Sequence, residues 1–234
     1  MASSATPMPT PDDPFPRPVP QTYSPLVWPE STRHQLSPRS TTLPVDLSVL
    51  TEQRCTRRDF DRALSDRQLG EFLWLTCRSR VQWPSDYGFA QERRVCPSAG
   101  ALHPVHVLVA RSGQTWQRYD PIEHALVEIP GFESNANSVR AAAERLLDIN
   151  RGVVLGLLCE PGKTDAKYFN SASLVWRDAG VILGYMSFVA EALHLAFCPL
   201  GITGNPELTG LGGGGTQLFG AGLAVVGASA DTPP

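Results

Sequence analysis

Apolar positions along the chain follow two spacings, and the change from one to the other marks the elements. Leu69, Phe72, Leu73, Leu75 and Thr76 lie on one helical stripe, and Ser65-Asp66-Arg67-Gln68 has the form of a capping box, so a helix is predicted over 66–77. Runs at 105–111, 115–120 and 124–129 are strand-like. Ser112-Gly113-Gln114 and Pro121-Ile122-Glu123 join them, which predicts an antiparallel meander. Val139, Ala143, Leu146 and Leu147 place a helix over 137–148, and 152–159 is apolar without alternation, as in a strand covered on both faces. The stretch 172–197 predicts a long core helix, in which Ala179, Gly180 and Gly184 leave room for another helix or a ring. Arg177 and Asp178 within it need partners, because unpaired buried charge is costly. Cys198-Pro199-Leu200-Gly201-Ile202-Thr203-Gly204 is expected to end that helix as a small-residue loop. The glycines at 212–215 read as a linker, since no Lys follows them, and 223–226 reads as a last strand. Residues 78–96, broken by Trp83-Pro84 and Tyr87-Gly88, read as a loop.

The ends differ from this middle. Residues 1–22 are rich in proline and poor in aliphatic side chains, and are expected to form a disordered arm. Apolar residues return at Leu26-Val27-Trp28 and Leu43-Pro44-Val45-Asp46-Leu47, so 23–50 is expected to wrap the core or a second subunit. Residues 51–228 form the single domain, and 229–234 a tail. A formal net charge of −3 gives nucleic-acid binding no electrostatic support. The start has no cationic head followed by an apolar run, and no apolar run approaches the length of a membrane span, so a cytoplasmic protein is expected, without membrane contact. The five cysteines lack Cys-x-x-Cys spacing and the five histidines form no helical pair, so reduced thiols and no metal site are expected.

Three stretches carry candidate chemistry. In Arg54-Cys55-Thr56-Arg57-Arg58, an extended backbone points Arg54, Thr56 and Arg58 to one side, ahead of a helix. Such a group suits a phosphate, or is simply a solvated basic patch. Pro97-Ser98-Ala99-Gly100-Ala101-Leu102-His103-Pro104 sets small residues between prolines just before a buried strand, where backbone N–H groups can come close to a flat ligand. An ordinary loop entering a strand would look the same. Asp165-Ala166-Lys167-Tyr168-Phe169 precedes the long helix. Its Lys-Tyr pair is either a surface lysine beside an anchoring tyrosine or a proton-transfer pair.

Taken with Cys198–204, these stretches resemble, in order and separation, the flavin-binding elements of the nitroreductase superfamily. Leu43-Pro44, the motif at 54–60, the loop at 97–104, Tyr119-Asp120 with His124-Ala125-Leu126, and Lys167-Tyr168 resemble its SagB-type branch. These are the FMN-dependent azoline dehydrogenases of thiopeptide and azole-peptide biosynthesis, and the resemblance covers about residues 43–227.

The resemblance implies an α+β fold with a central, mostly antiparallel sheet flanked by helices, forming a homodimer with FMN at the interface. It implies that Arg54, Thr56 and Arg58 hold the phosphate and ribityl end or the pyrimidine edge. Pro97, Ser98, Ala99, Gly100 and Leu102 would reach the flavin of the other subunit, and Pro199, Leu200, Gly201 and Ile202 would run along the isoalloxazine ring, with the Gly201 N–H a candidate donor. Lys167 and Tyr168 would be catalytic. Turning a thiazoline into a thiazole removes a hydride and a proton from adjacent carbons; in such enzymes FMN takes the hydride, oxygen reoxidises it, and a base takes the proton. The substrate implied is an azoline-containing precursor peptide, with a cyclodehydratase or other biosynthetic enzymes as possible partners. Beyond Gly227 the chain carries no cation, so the phosphate would rest mainly on the Arg54 cluster, or FMN would be held more weakly. Two alternatives use the same fold: an NAD(P)H-dependent reductase of nitro or quinone compounds, and an oxidase in non-ribosomal peptide assembly. A third is a non-catalytic scaffold subunit of a peptide-modifying complex.

Overall fold

The computed structural model describes residues 12–29, 31–37, 45–149, 151–211 and 217–228. The elements in chain order begin with β1 (Phe15–Pro16), β2 (Arg33–Gln35), α1 (Leu47–Gln53), α2 (Asp66–Cys77), β3 (Ser79–Trp83) and β4 (Gln91–Arg94). Then come β5 (Val105–Ala110), β6 (Gln117–Asp120), β7 (Ala125–Glu128), α3 (Glu133–Glu144), β8 (Val153–Cys159) and α4 (Gly162–Asp165). The last are β9 (Tyr168–Phe169), α5 (Ala172–Ala192), β10 (Ala196–Leu200) and β11 (Phe219–Gly227).

Seven strands form one antiparallel sheet in the order β10-β11-β8-β5-β6-β7-β2. Strands β8 and β5 lie inside it, and alternate side chains of each enter two cores. Val105, Val107, Val109, Val153, Leu155 and Leu157 pack with Phe72, Leu73, Val175 and Met186 of α2 and α5. Leu108, Val154 and Leu158 pack with Trp116, Val139 and Ala143 on the α3 side. This is why 152–159 shows no alternation in sequence: both faces are dry. Helix α2 starts where the capping box predicts, with Ser65 Oγ accepting from Gln68 N and the Gln68 side chain accepting from Ser65 N.

Three sequence expectations change. The loop expected over 78–96 is a hairpin, β3 paired with β4. Its strands are largely polar and exposed, so no apolar alternation announced them, while Pro84 and Gly88 fall at its turn. The long helix stops at Ala192, and His194, at φ +55°, breaks it. The apolar run that seemed to extend it is β10, so Pro199 lies in an edge strand, where a missing N–H is tolerated, and not in a helix-ending loop. The helix expected over 137–148 begins four residues earlier, at Glu133, and Leu146 and Leu147 close it as a turn.

Residues 1–11, Leu43-Pro44, the glycines 212–215 and the tail 229–234 lie outside the described residues. From residue 12 the arm expected to be disordered runs along the domain: β1 pairs with β9, and Arg17 N and Gln21 N donate to Lys167 O and Ala166 O. Further on, β2 adds a seventh strand beside β7. Among the described residues, no helix is long and apolar enough to cross a membrane.

Candidate active site

The segment 97–104 folds into a strained and heavily anchored turn. Gly100, Ala101 and His103 have φ of +63°, +59° and +46°, a region that only glycine enters without cost. What holds it there is Asp178, one of the two charges on α5 that required partners. Its carboxylate accepts from Ser98 Oγ and from the Ala99 N–H at 3.0 Å, and Ser98 Oγ in turn accepts from His103 N at 3.0 Å. Burial pushes the Asp178 carboxyl up, against the opposing pull of those hydrogen bonds. Arg177, by contrast, is exposed and donates to Ser173 Oγ at 2.9 Å.

Behind the turn lies a buried polar network that sequence reading missed. His103 Nε2 meets Glu92 O at 3.0 Å, Glu92 pairs with Arg94 at 2.9 Å, and Lys163 Nζ donates to His103 O at 3.1 Å. Burial and the nearby Arg94 push the His103 imidazole down to about 3 and the Lys163 ammonium down to about 8. Burial alone would raise Glu92, but Arg94, through charge and hydrogen bond, with Lys163 and His103 beside it, holds the carboxyl at about 2. Ser98, His103, Lys163 and Asp178 line a cavity of about 210 Å³. Glu92 and Arg94 sit on polar β4, so nothing in the hydrophobic pattern could have pointed to them.

The turn also meets the Lys-Tyr pair. A Cβ on Gly100 would stand 3.0 Å from Lys167 Cδ, 3.0 Å from Tyr168 Oη and 3.1 Å from Lys167 Nζ. Two of the three stretches singled out in the sequence therefore join in one chain. Pro97 is exposed, Ser98, Ala99 and Gly100 are half-buried, and the Leu102 side chain is buried in the core.

The third stretch lies elsewhere. Arg57 turns inward, donating through Nη2 to Glu191 Oε1 at 2.6 Å and through its backbone to Phe197 O of β10. Around it Cys55, Thr56 and Arg58 are exposed, as Arg57 itself is, and Arg54 is half-buried. Next to them β10 ends with Pro199 and Leu200, and Gly201 and Ile202 follow it. Pro199 and Gly201 are exposed, and a Cβ on Gly201 would meet nothing within 4 Å. The two halves are anchored on α5 at Asp178 and Glu191, thirteen residues apart, or about 20 Å along the helix.

The nitroreductase family model matches residues 51–211, more than half of the chain. The chain belongs to the nitroreductase family. This nitroreductase-family oxidoreductase shares its fold with a protein assigned to the nitroreductases from Ralstonia eutropha JMP134. That pair is 17% identical at a TM-score of 0.63, over 92% of this chain and 100% of the other. A chain of the E. coli microcin synthetase McbBCD complex, with truncated pro-MccB17 bound, is 18% identical at 0.58, over 82% and 76%. The oxidoreductase YcnD of Bacillus subtilis is 18% identical at 0.53, over 79% and 66%. No curated protein sequence matches the chain.

Proposed function

We propose that this protein is a homodimeric, FMN-dependent dehydrogenase that oxidises azoline rings of a peptide to azoles. The observation that carries the reading is the meeting of the 97–104 turn with Lys167 and Tyr168, which puts two candidate proton-handling side chains against the loop that would face the flavin. A microcin synthetase chain with the same fold, from a complex holding a truncated pro-peptide, agrees with a peptide substrate.

The residues fit FMN. Two guanidinium groups and a hydroxyl, on Arg54, Arg58 and Thr56, suit a phosphate, and the exposed backbone at 199–202 offers a face with room beside it for a flat ring. When bound, FMN supplies hydride acceptance. Because the 97–104 turn and the arginine segment are anchored about 20 Å apart along α5, a site needing both would be completed by a second copy. The open face of α5 suits that contact: Trp176, Val181, Tyr185 and Phe188 are exposed, and Gly180 and Gly184 have nothing within 4 Å of a built Cβ.

Within such a site Ser98 and Asp178 would fix the turn, and Lys167 and Tyr168 would take the proton from the ring carbon. The test is the full-length Lys167→Ala and Tyr168→Phe variants, assayed on a thiazoline peptide. Bound flavin should remain while oxidation falls by about 10²- to 10⁴-fold. Flavin-loaded variants that oxidise normally would remove the catalytic assignment.

A further inference from the structure

We infer that the edge of β9 covered by β1 is a docking strand for an extended peptide, and that the chain's own N-terminal arm occupies it as a displaceable stand-in. The inference rests on the peptide-oxidising reading for the identity of the natural occupant, but the docking edge itself rests on geometry. Strand β9 belongs to none of the larger sheets: its partner is β1, with Phe15 opposite Phe169 and Pro16 opposite Tyr168. The arm adds main-chain contacts, Arg17 N to Lys167 O at 2.8 Å and Gln21 N to Ala166 O at 2.9 Å. Its side chains use Phe169 as a platform: the Phe15 ring lies 5.0 Å away between centroids, and the Arg17 guanidinium sits 3.9 Å above the ring. Main-chain pairing with alternate side chains in shallow contacts is how an extended peptide adds to an exposed strand edge.

Two features make the arm a stand-in. Its pairing spans two residues, both exposed, with Phe15 at 51%. Arg17 is its main hold on this edge, with Nε also donating to Asp165 O at 2.6 Å, and a second, more buried tether follows. Tyr23 Oη donates to Glu160 at 2.9 Å, the Leu26 N–H donates to the same carboxylate, and the Tyr23 ring fills the space a Cβ on Gly162 would need. Residues 12–22 can therefore leave β9 while the chain stays anchored at Tyr23. A peptide taking their place would run along the backbone of Lys167 and Tyr168, the pair whose side chains meet Gly100. The occupant that fits is extended, tolerates proline opposite Tyr168, and presents an aromatic side chain to Phe169.

The probe is a dye-labelled synthetic peptide of residues 12–19, Asp-Asp-Pro-Phe-Pro-Arg-Pro-Val, titrated by fluorescence anisotropy against full-length protein. The wild-type arm competes from within the same chain at high local concentration, so the Phe15→Ala/Arg17→Ala variant should bind the peptide about tenfold more tightly. Adding Phe169→Ala should cancel that gain with the thermal melting curve unchanged. Equal binding by wild type and double variant, or a gain that survives Phe169→Ala, would overturn the inference. Azoline oxidation is measured separately: absence of turnover in every protein counts against the proposed function, while the anisotropy result decides the docking edge on its own. Where turnover is present, KM for the azoline peptide should fall in the double variant while kcat holds.

Discussion

The Cα of Gly100 faces the tip of Tyr168 so closely that a Cβ added there would stand 3.0 Å from the tyrosine hydroxyl. The same glycine has φ +63°. Gly100→Ala should therefore cost about 1–2 kcal/mol from backbone strain alone, read as a lower urea midpoint, and should displace Lys167 or Tyr168. Activity should drop by more than the stability loss explains. A variant as stable and as active as wild type would show that the turn and the pair are not coupled.

Arg57 and Glu191 hold the candidate phosphate segment on β10 and the end of α5. The Glu191 side chain is 6% exposed and that of Arg57 45%, so removing the arginine strands a buried carboxylate. Arg57→Ala should destabilise by about 1–3 kcal/mol. It should also loosen flavin, because Arg54, Thr56 and Arg58 lose their common support. Isothermal titration with FMN checks this, and unchanged affinity would separate the segment from the cofactor.

Acid should loosen the turn in two steps. His103, at about 3, and Glu92, at about 2, both lie below their ordinary values of 6.5 and 4.5. The unfolded chain therefore binds more protons than the folded one, from pH 6.5 to 3 for the histidine and from 4.5 to 2 for the glutamate, and stability falls as pH drops through those windows. Burial also lowers His106 and His124, which share the upper window. His103→Gln should flatten part of the stability curve from pH 6.5 down to 3, and Glu92→Gln only the part below 4.5. Urea midpoints across pH measure both, and parallel curves for His103→Gln and wild type would contradict the assignment.

The exposed stripe on α5 makes a prediction about assembly. Tyr185→Glu with Phe188→Glu should shift the protein to monomer in sedimentation and lower FMN affinity with it. A monomeric variant that binds FMN as tightly as wild type would mean that the site is complete in one chain.

Much of the frame was legible in sequence because it depends on local chemistry. The Ser65 capping box set α2, and the dry run before Glu160 set β8. Asp178 declared itself as a charge in an apolar helix, and its partner turned out to be the loop already singled out. The misreadings have a shared cause. Apolar composition continues from α5 into β10, and only the left-handed backbone at His194 separates them. The hairpin of β3 and β4 has only Val81 and Trp83 as apolar residues, and the seating of Phe15 on Phe169 is a long-range contact between two short exposed segments. Periodicity registers none of these. The same holds for Glu92, Arg94 and Lys163, whose partnership exists only once β4, the 97–104 turn and α4 are brought together.

The most direct measurement is the anaerobic half-reaction of the flavin-loaded protein. Mixed with a thiazoline-bearing peptide and no nicotinamide, the wild type should lose its oxidised-flavin absorption as the azole forms in equal amount, and Lys167→Ala should not. Flavin that is bleached by NAD(P)H but left untouched by the thiazoline peptide would contradict the account.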